Sequence, residues 1–329
     1  MTRRLPASPS RRRLLQALAL GALAPLAACA PPLALNATFL QLWRSHLDLS
    51  PDDWRVRLSA YRRLGCREIF LQWVGLEGGR PDDWMAPDAV LGHIFDEAEH
   101  QGLGVHVGLP YDQRWWDVLA GRDKAAFTGF LNQTRARGVA YMESAPWSKR
   151  RAFRGWYLPY ELEQYNWASA ERQAQLIPWL DAFSRTAQAT SRGVPCISTY
   201  HSRLPGEGSL MMLWRGILDQ VRIHPMIQDG VGVAGLANYQ ALEPLHDMLL
   251  ARRASFDLVM ELFEELPSGS TDGSTFKARS ADFTRVKAQW EVARGYGAER
   301  VVAFAMDPWV IDDTPEARAL MRAWLAARV

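Results

Sequence analysis

Short apolar runs alternate with amphipathic stretches eight times between residue 36 and the C-terminus. The runs are Thr38 to Trp43, Glu68 to Val74, Leu103 to Leu109, Arg154 to Glu161, Val194 to Tyr200, Val221 to Ile227, Phe256 to Phe263 and Arg300 to Met306. Each is too short for a buried helix and is bounded by turn residues, so each predicts a strand buried on both faces. In the sixth run, Pro225 argues for a strand end or bulge.

The intervening stretches carry helical spacing. After Ser50, an N-cap, and Pro51, a first helical residue, the apolar positions Trp54, Leu58, Tyr61 and Leu64 lie on one face, and Gly65 stops the helix. Further helices are predicted over about Pro87 to Gln101, Lys124 to Arg137, Ala170 to Ser191, Met211 to Leu218, Gln240 to Arg253, Ser280 to Tyr296 and Thr314 to Ala327. Tyr111 to Trp116 and the Gly/Ser/Thr-rich Pro267 to Ser274 read as loops. Eight strand–helix alternations in one stretch of this length predict a single α/β domain over residues 36–329, a (β/α)8 TIM barrel. Neither a Gly-x-Gly-x-x-Gly nor a Gly-Lys-Ser/Thr loop follows the first strand, which argues against a nucleotide cofactor. No cofactor is expected.

The pattern breaks before residue 36. Arg11-Arg12-Arg13 leads into the apolar run Ala17 to Ala28, too short to span a bilayer as a mature helix. It resembles a twin-arginine export signal, and Leu26-Ala27-Ala28-Cys29 resembles a lipobox whose cysteine is lipidated. Residues 1–28 are therefore expected to be a signal peptide and 29–35 a linker. The mature chain is expected to be exported to the periplasm and lipid-anchored at Cys29, at the outer membrane if the host sorts lipoproteins by the residue after the cysteine. The plainer alternative is a Sec-type signal with Cys29 incidental.

Charge alters the picture once this segment is set aside. The whole chain is +2, with 38 basic and 36 acidic residues, but residues 1–28 hold five arginines and no acid. Without them 38 − 5 = 33 basic residues face 36 acidic ones, a net of −3, which argues against a nucleic-acid partner. Cys66 and Cys196 lie in strand-like runs and read as buried free thiols. The 14 tryptophans are the compositional outlier, and several stand beside polar residues at strand ends.

Barrel chemistry sits at the C-terminal ends of the strands. Those ends carry Gln41 and Trp43, Gln72 and Trp73, Tyr111 with Trp115 and Trp116, Tyr160 and Glu161, Tyr200 and His201, Gln228 and Asp229, Glu261, and Asp307 with Trp309. Amides, carboxylates and rings in this mixture suit a poly- or oligosaccharide, since rings stack on sugar CH faces while amides and carboxylates bind hydroxyls. Two carboxylates from separate strands can act as acid and as base or nucleophile on a glycosidic bond. Glu161 is the candidate acid/base and Glu261 the candidate nucleophile or base, with Asp229 the competing choice for the second role. A salt bridge with Arg44 or Arg154 is the plainer alternative for Glu261, and an ordinary turn for Asp229. Glu163, Glu264 and Glu265 read as solvated loop acids. His201 has too few histidine neighbours to suggest a metal, and none is expected.

Phe39-Leu40-Gln41-Leu42-Trp43, Leu71-Gln72-Trp73, Trp156-Tyr157-Leu158-Pro159-Tyr160-Glu161, Gln228-Asp229-Gly230-Val231-Gly232 and Glu261-Leu262-Phe263 together resemble the bacterial family DUF4434. The resemblance implies a glycoside-hydrolase-type TIM barrel, often exported and sometimes tied to exopolysaccharide. The large clan of retaining β-glycosidases is also similar in placing its acid/base and nucleophile glutamates at the ends of strands four and seven, here Glu161 and Glu261. The chain departs from that clan in carrying Tyr160 where the clan has the asparagine that binds the sugar 2-hydroxyl; Gln72, Gln228 or Asn238 could take that contact. A non-catalytic carbohydrate-binding barrel assisting polysaccharide export, and a lyase or isomerase using Tyr200 and His201, are the competing functions.

Overall fold

The computed structural model describes residues 33–327 apart from Ala34, Arg80, Asp82 and residues 268–275. The expected signal segment and Cys29 lie outside the described residues. Eight parallel strands form a closed barrel: β1 (Ala37–Leu40), β2 (Glu68–Leu71), β3 (Gly104–Gly108), β4 (Phe153–Leu162), β5 (Cys196–Thr199), β6 (His224–Gln228), β7 (Asp257–Glu261) and β8 (Arg300–Phe304). Each strand pairs with its neighbours in chain order, and β8 closes on β1 with Ala37 beside Val302. The outer helices are α1 (Pro51–Leu64), α2 (Asp88–Gln101), α3 (Lys124–Ser144), α4 (Ala170–Ser191), α5 (Leu210–Leu218), α6 (Asn238–Arg252), α7 (Phe283–Ala293) and α8 (Pro315–Ala326). The (β/α)8 TIM barrel is the fold the periodicity implies.

Local signals account for the helix ends. In α1 the Ser50 hydroxyl accepts from the Asp53 N–H while the Asp53 carboxylate accepts from the Ser50 N–H, and Gly65 ends the helix at φ 110°. Helix α3 runs past its expected end because Gly138 lets it approach α4; a Cβ there would lie 2.6 Å from the Phe183 ring. Helix α7 starts later than expected, since Asp282 caps it and Ser280 belongs to a strand.

Six of the strands end sooner than their apolar runs, while β4 and β6 each run one residue past theirs. Leu42, Trp73 and Val74 continue past the ladder as buried residues and pack under the loops. Two features of the barrel mouth escape the local pattern. The stretch after β2 and the start of the Tyr111 segment form a small sheet of Gly75–Glu77, Trp84–Met85 and Tyr111–Asp112, followed by a short helix, Trp115–Ala120. After β7, Phe263–Glu265 pairs antiparallel with Ala278–Ser280.

Alternation along the strands sorts side chains into two cores. Phe39, Phe70, Tyr157, Cys196, Met226, Val259 and Val302 fill the barrel, with Phe39 packed edge-on against Tyr157 at 5.2 Å. Their neighbours Leu40, Leu71, Leu158, Ile197, Ile227, Leu258 and Ala303 face the helices. Below the apolar layer, Glu68, His106, His224, Asp257 and Arg300 form a charged floor. Arg300 Nη2 lies 2.8 Å from Asp257, its Nη1 3.0 Å from Glu68, and His106 Nε2 2.7 Å from Glu68. Cys66 and Cys196 are both buried.

Candidate active site

The same alternation carries the inward phase one step above Phe39, Phe70, Met226, Val259 and Val302, and two steps above Tyr157 and Cys196, past Pro159 and Ser198. It places Gln41, Gln72, Glu161, Tyr200, Gln228, Glu261 and Phe304 on the layer that faces the mouth. Phe304 aside, this layer is polar, and the one beneath it is apolar except for the Tyr157 hydroxyl, which pairs with Ser198 Oγ at 2.8 Å.

Glu161 reaches its place through an irregularity. Leu158 pairs with Ile197, but the next register point joins Leu162 to Thr199, so β4 has two more residues than β5 over this interval. The excess holds Pro159, which has no N–H to lose from a ladder. Gln228 Nε2 donates to Glu161 Oε1 at 2.5 Å. Burial among the mouth rings pushes the Glu161 carboxyl above the ordinary carboxylate range, against the opposing effect of that bond.

Glu261 closes β7 and is 5% exposed. Its Oε2 accepts from the Gly232 N–H at 2.8 Å. Burial, then the negative charge of Asp229 and more weakly that of Glu161, push the Glu261 carboxyl above the ordinary carboxylate range and so oppose its ionisation; the Gly232 bond and Arg285 work the other way. Arg285 comes from α7 and donates through Nη2 to the Glu261 carbonyl at 2.9 Å.

Asp229 does not line the mouth. It is fully buried beneath the Gly230–Gly232 turn, and its carboxylate accepts from the N–H groups of Val231 and Glu261, from Tyr239 Oη and from Gln289 Nε2. Those four donors occupy the oxygens a general base would need, so the structure sets Asp229 behind Glu261 rather than beside it as a rival. Asn238, a candidate for the sugar 2-hydroxyl, donates instead to the Asp229 carbonyl at 2.7 Å.

This arrangement of strand ends coincides with family-level similarity. The sequence model of the domain of unknown function DUF4434 matches residues 35–319. The chain belongs to the DUF4434 family. A curated relative, the uncharacterized protein YbcH of Escherichia coli K12, is 25% identical over 196 residues, covering 57% of this chain and 62% of YbcH. The match thus spans under two thirds of that relative's length. Among solved structures, a candidate alpha-L-fucosidase from Bacteroides thetaiotaomicron superposes with a TM-score of 0.67 at 14% identity, covering 91% of this chain and 97% of that one. The beta-galactosidase of Marinomonas ef1 gives 0.58 at 11% identity over 89% of this chain and 59% of its own. An exo-beta-1,4-mannosidase from Opitutaceae bacterium strain TAV5 gives 0.54 at 14% over 89% and 59%. At these identities the likeness is one of fold: this DUF4434 chain has a barrel of the kind glycoside hydrolases use.

The remaining sequence candidates divide by environment. An aromatic ribbon runs along the rim of the DUF4434 mouth: Trp43 meets Trp73 edge-on at 5.5 Å, Trp73 stacks on Tyr111 at 5.5 Å, and Trp116 meets Tyr200 edge-on at 6.1 Å. Trp43 and Trp116 are exposed, at 46% and 37%. Gln72 is buried, and its Oε1 has no hydrogen-bond partner. Among the sequence candidates for sugar contact, Tyr160 and Trp115 are corrected to core residues. Tyr160 faces outward on β4, packs on Trp115 and Trp179, and accepts from the Asp112 N–H at 3.3 Å. Tyr160 therefore stands outside the mouth, whatever residue type another barrel has there.

Asp307 is engaged elsewhere, ion-paired with Arg57 and 3.9 Å from His46. Trp309 packs on Phe263 at 5.5 Å. His201 is half-buried after β5, and burial lowers its ionisation. Glu163, expected as a solvated acid, is instead 1% exposed and accepts from the N–H groups of Tyr165 and Asn166, closing the loop after β4. Glu264 is exposed and paired with Arg279. No local motif marks Gln289 and Arg285, which lie on α7; only the fold brings that helix under the end of β7, where both donate to the Glu261 carbonyl.

Proposed function

We propose that the barrel mouth hydrolyses glycosidic bonds of a polysaccharide, a bacterial exopolysaccharide, with Glu161 as general acid/base and Glu261 as nucleophile or base. The observation that carries this is the pair of carboxyls from β4 and β7 on the mouth-facing layer: burial holds the proton on Glu161, as a general acid requires, while Glu261 must give up its own to act. Glu161 in its protonated form gives a proton to the glycosidic oxygen as the C–O bond breaks. Ionised Glu261 either bonds to the sugar carbon, in which case a water that gives its proton to the now ionised Glu161 then displaces it, or takes the proton from a water that attacks directly; in both cases the water oxygen ends as the new hydroxyl. Gln41, Gln72, Gln228 and Tyr200 supply hydroxyl contacts, and the rim rings supply stacking surface. The exposed Trp43 and Trp116 would equally serve a barrel that only binds the polymer during export.

Export and lipid anchoring at Cys29 to a periplasmic membrane face, the outer membrane where sorting allows, complete the proposal. The test is to incubate purified protein with bacterial exopolysaccharides and read reducing ends and products by mass spectrometry. Release of oligosaccharides by wild type, lowered about 100-fold or more in Glu161→Gln, is expected. Glycan binding with no product in the wild type overturns hydrolysis in favour of the binding barrel.

A further inference from the structure

The Gly230–Gly232 turn takes no part in these proton transfers, yet it is built tightly around Asp229 and Glu261. Asp229 Oδ1 accepts from Val231 N at 3.1 Å and from Glu261 N at 3.2 Å. Its Oδ2 accepts from Tyr239 Oη at 3.1 Å and from Gln289 Nε2, which also donates to the Glu261 carbonyl at 3.1 Å. Gly230 has φ 62°, and a Cβ on it would lie 2.4 Å from Asn238 Nδ2. A Cβ on Gly232 would lie 2.7 Å from the Phe263 carbonyl and 2.9 Å from Glu261 Oε2. Only glycine at both places lets the turn press its N–H onto the glutamate.

We propose that Asp229 is a positioning residue for Glu261, gripping its backbone from behind and, through the turn it organises, one of its carboxyl oxygens. The other carboxyl oxygen is thereby left to act at the substrate. Asp229 also brings a negative charge close to Glu261. The charged groups facing Glu261 are Asp229 from β6, Glu161 from β4 and Arg285 from α7. Asp229 is the one that holds both its aim and its proton. This rests on the assignment of Glu261 above, but it is tested without any substrate.

The probe is carboxyl titration by carbon-13 NMR on glutamate-labelled protein, with Glu161 and Glu261 assigned from the Gln variants. Asp229→Asn keeps an acceptor oxygen for Val231 and Glu261 and removes the charge. The Glu261 midpoint is expected to fall by about 1 pH unit or more, while that of Glu161 stays or rises. An unmoved Glu261 midpoint overturns the proposal. So does a joint fall of both midpoints, because that reports water entering a loosened site. If Asp229→Asn fails to fold, Tyr239→Phe removes one donor to Asp229, lets it take up a proton more readily, and should move Glu261 in the same direction by less. An unmoved Glu261 there overturns the proposal equally. Loss of hydrolysis by Glu261→Gln is a separate result and bears on the function alone.

Discussion

Replacing Arg300 with methionine should destabilise the barrel from its floor. The substitution keeps an unbranched apolar stem over Phe70, where the guanidinium carbon sits 5.4 Å from the ring centre, and deletes the charge. Asp257, whose side chain is wholly buried, would lose three contacts of 3.0, 3.0 and 2.8 Å and keep only His224 at 3.2 Å. Glu68, 24% exposed, would keep His106 alone. Removing one partner of a buried ion pair costs about 3–5 kcal/mol, a large share of the roughly 5–15 kcal/mol typical of a folded domain.

The loss should depend on pH with a definite sign. Burial opposes ionisation of Glu68, but the His106 bond and the charges of His106 and Arg300 outweigh it and hold the carboxyl down to about 2. Burial likewise opposes ionisation of Asp257, and His224 and Arg300 hold it below its ordinary value. A carboxyl depressed in the folded state contributes stability above its unfolded value, near about 4, and loses it as pH falls toward the folded value. The gap between wild type and Arg300→Met should therefore be full at neutral pH and shrink below about pH 4. Urea unfolding followed by tryptophan fluorescence measures it. A gap under about 1 kcal/mol at neutral pH, or one unchanged in acid, would refute the pairing of the floor as described.

Two further outcomes concern the mouth. Gly232→Ala should cost about 1–3 kcal/mol by overpacking against the Phe263 backbone and should cut hydrolysis by more than the lost folded fraction explains, because the new methyl displaces Glu261; activity per folded molecule equal to wild type would contradict that. Trp115 and Trp116 are adjacent yet should behave oppositely. Trp115→Ala, at a 1% exposed site among Tyr160, Trp167 and Trp179, should lose about 3–5 kcal/mol in urea unfolding. Trp116→Ala, at a 37% exposed site, should unfold within about 1 kcal/mol of wild type and bind glycan more weakly by affinity electrophoresis; matched unfolding of the two variants would contradict the split.

The sequence by itself determined the order and type of nearly every barrel element. The helical faces of Trp54, Leu58, Tyr61 and Leu64, the cap at Ser50 and the short apolar runs are local properties, set by side-chain periodicity and by hydrogen bonds spanning three or four residues. It also located Glu161 and Glu261 near the ends of the fourth and seventh strands, because the order of the apolar runs gives the order of the strands. Only the tertiary structure decided which way the neighbouring residues face. Tyr160 and Glu161 are adjacent, and alternation sends one into the helix layer and the other to the mouth; the phase is set by Tyr157 packing inside the barrel. The same holds for Asp229, whose four donors come from positions as far along the chain as Glu261 and Gln289. Such partners are chosen by closure of the barrel, which brings distant strand ends within hydrogen-bonding reach and leaves no trace in the spacing of any one segment.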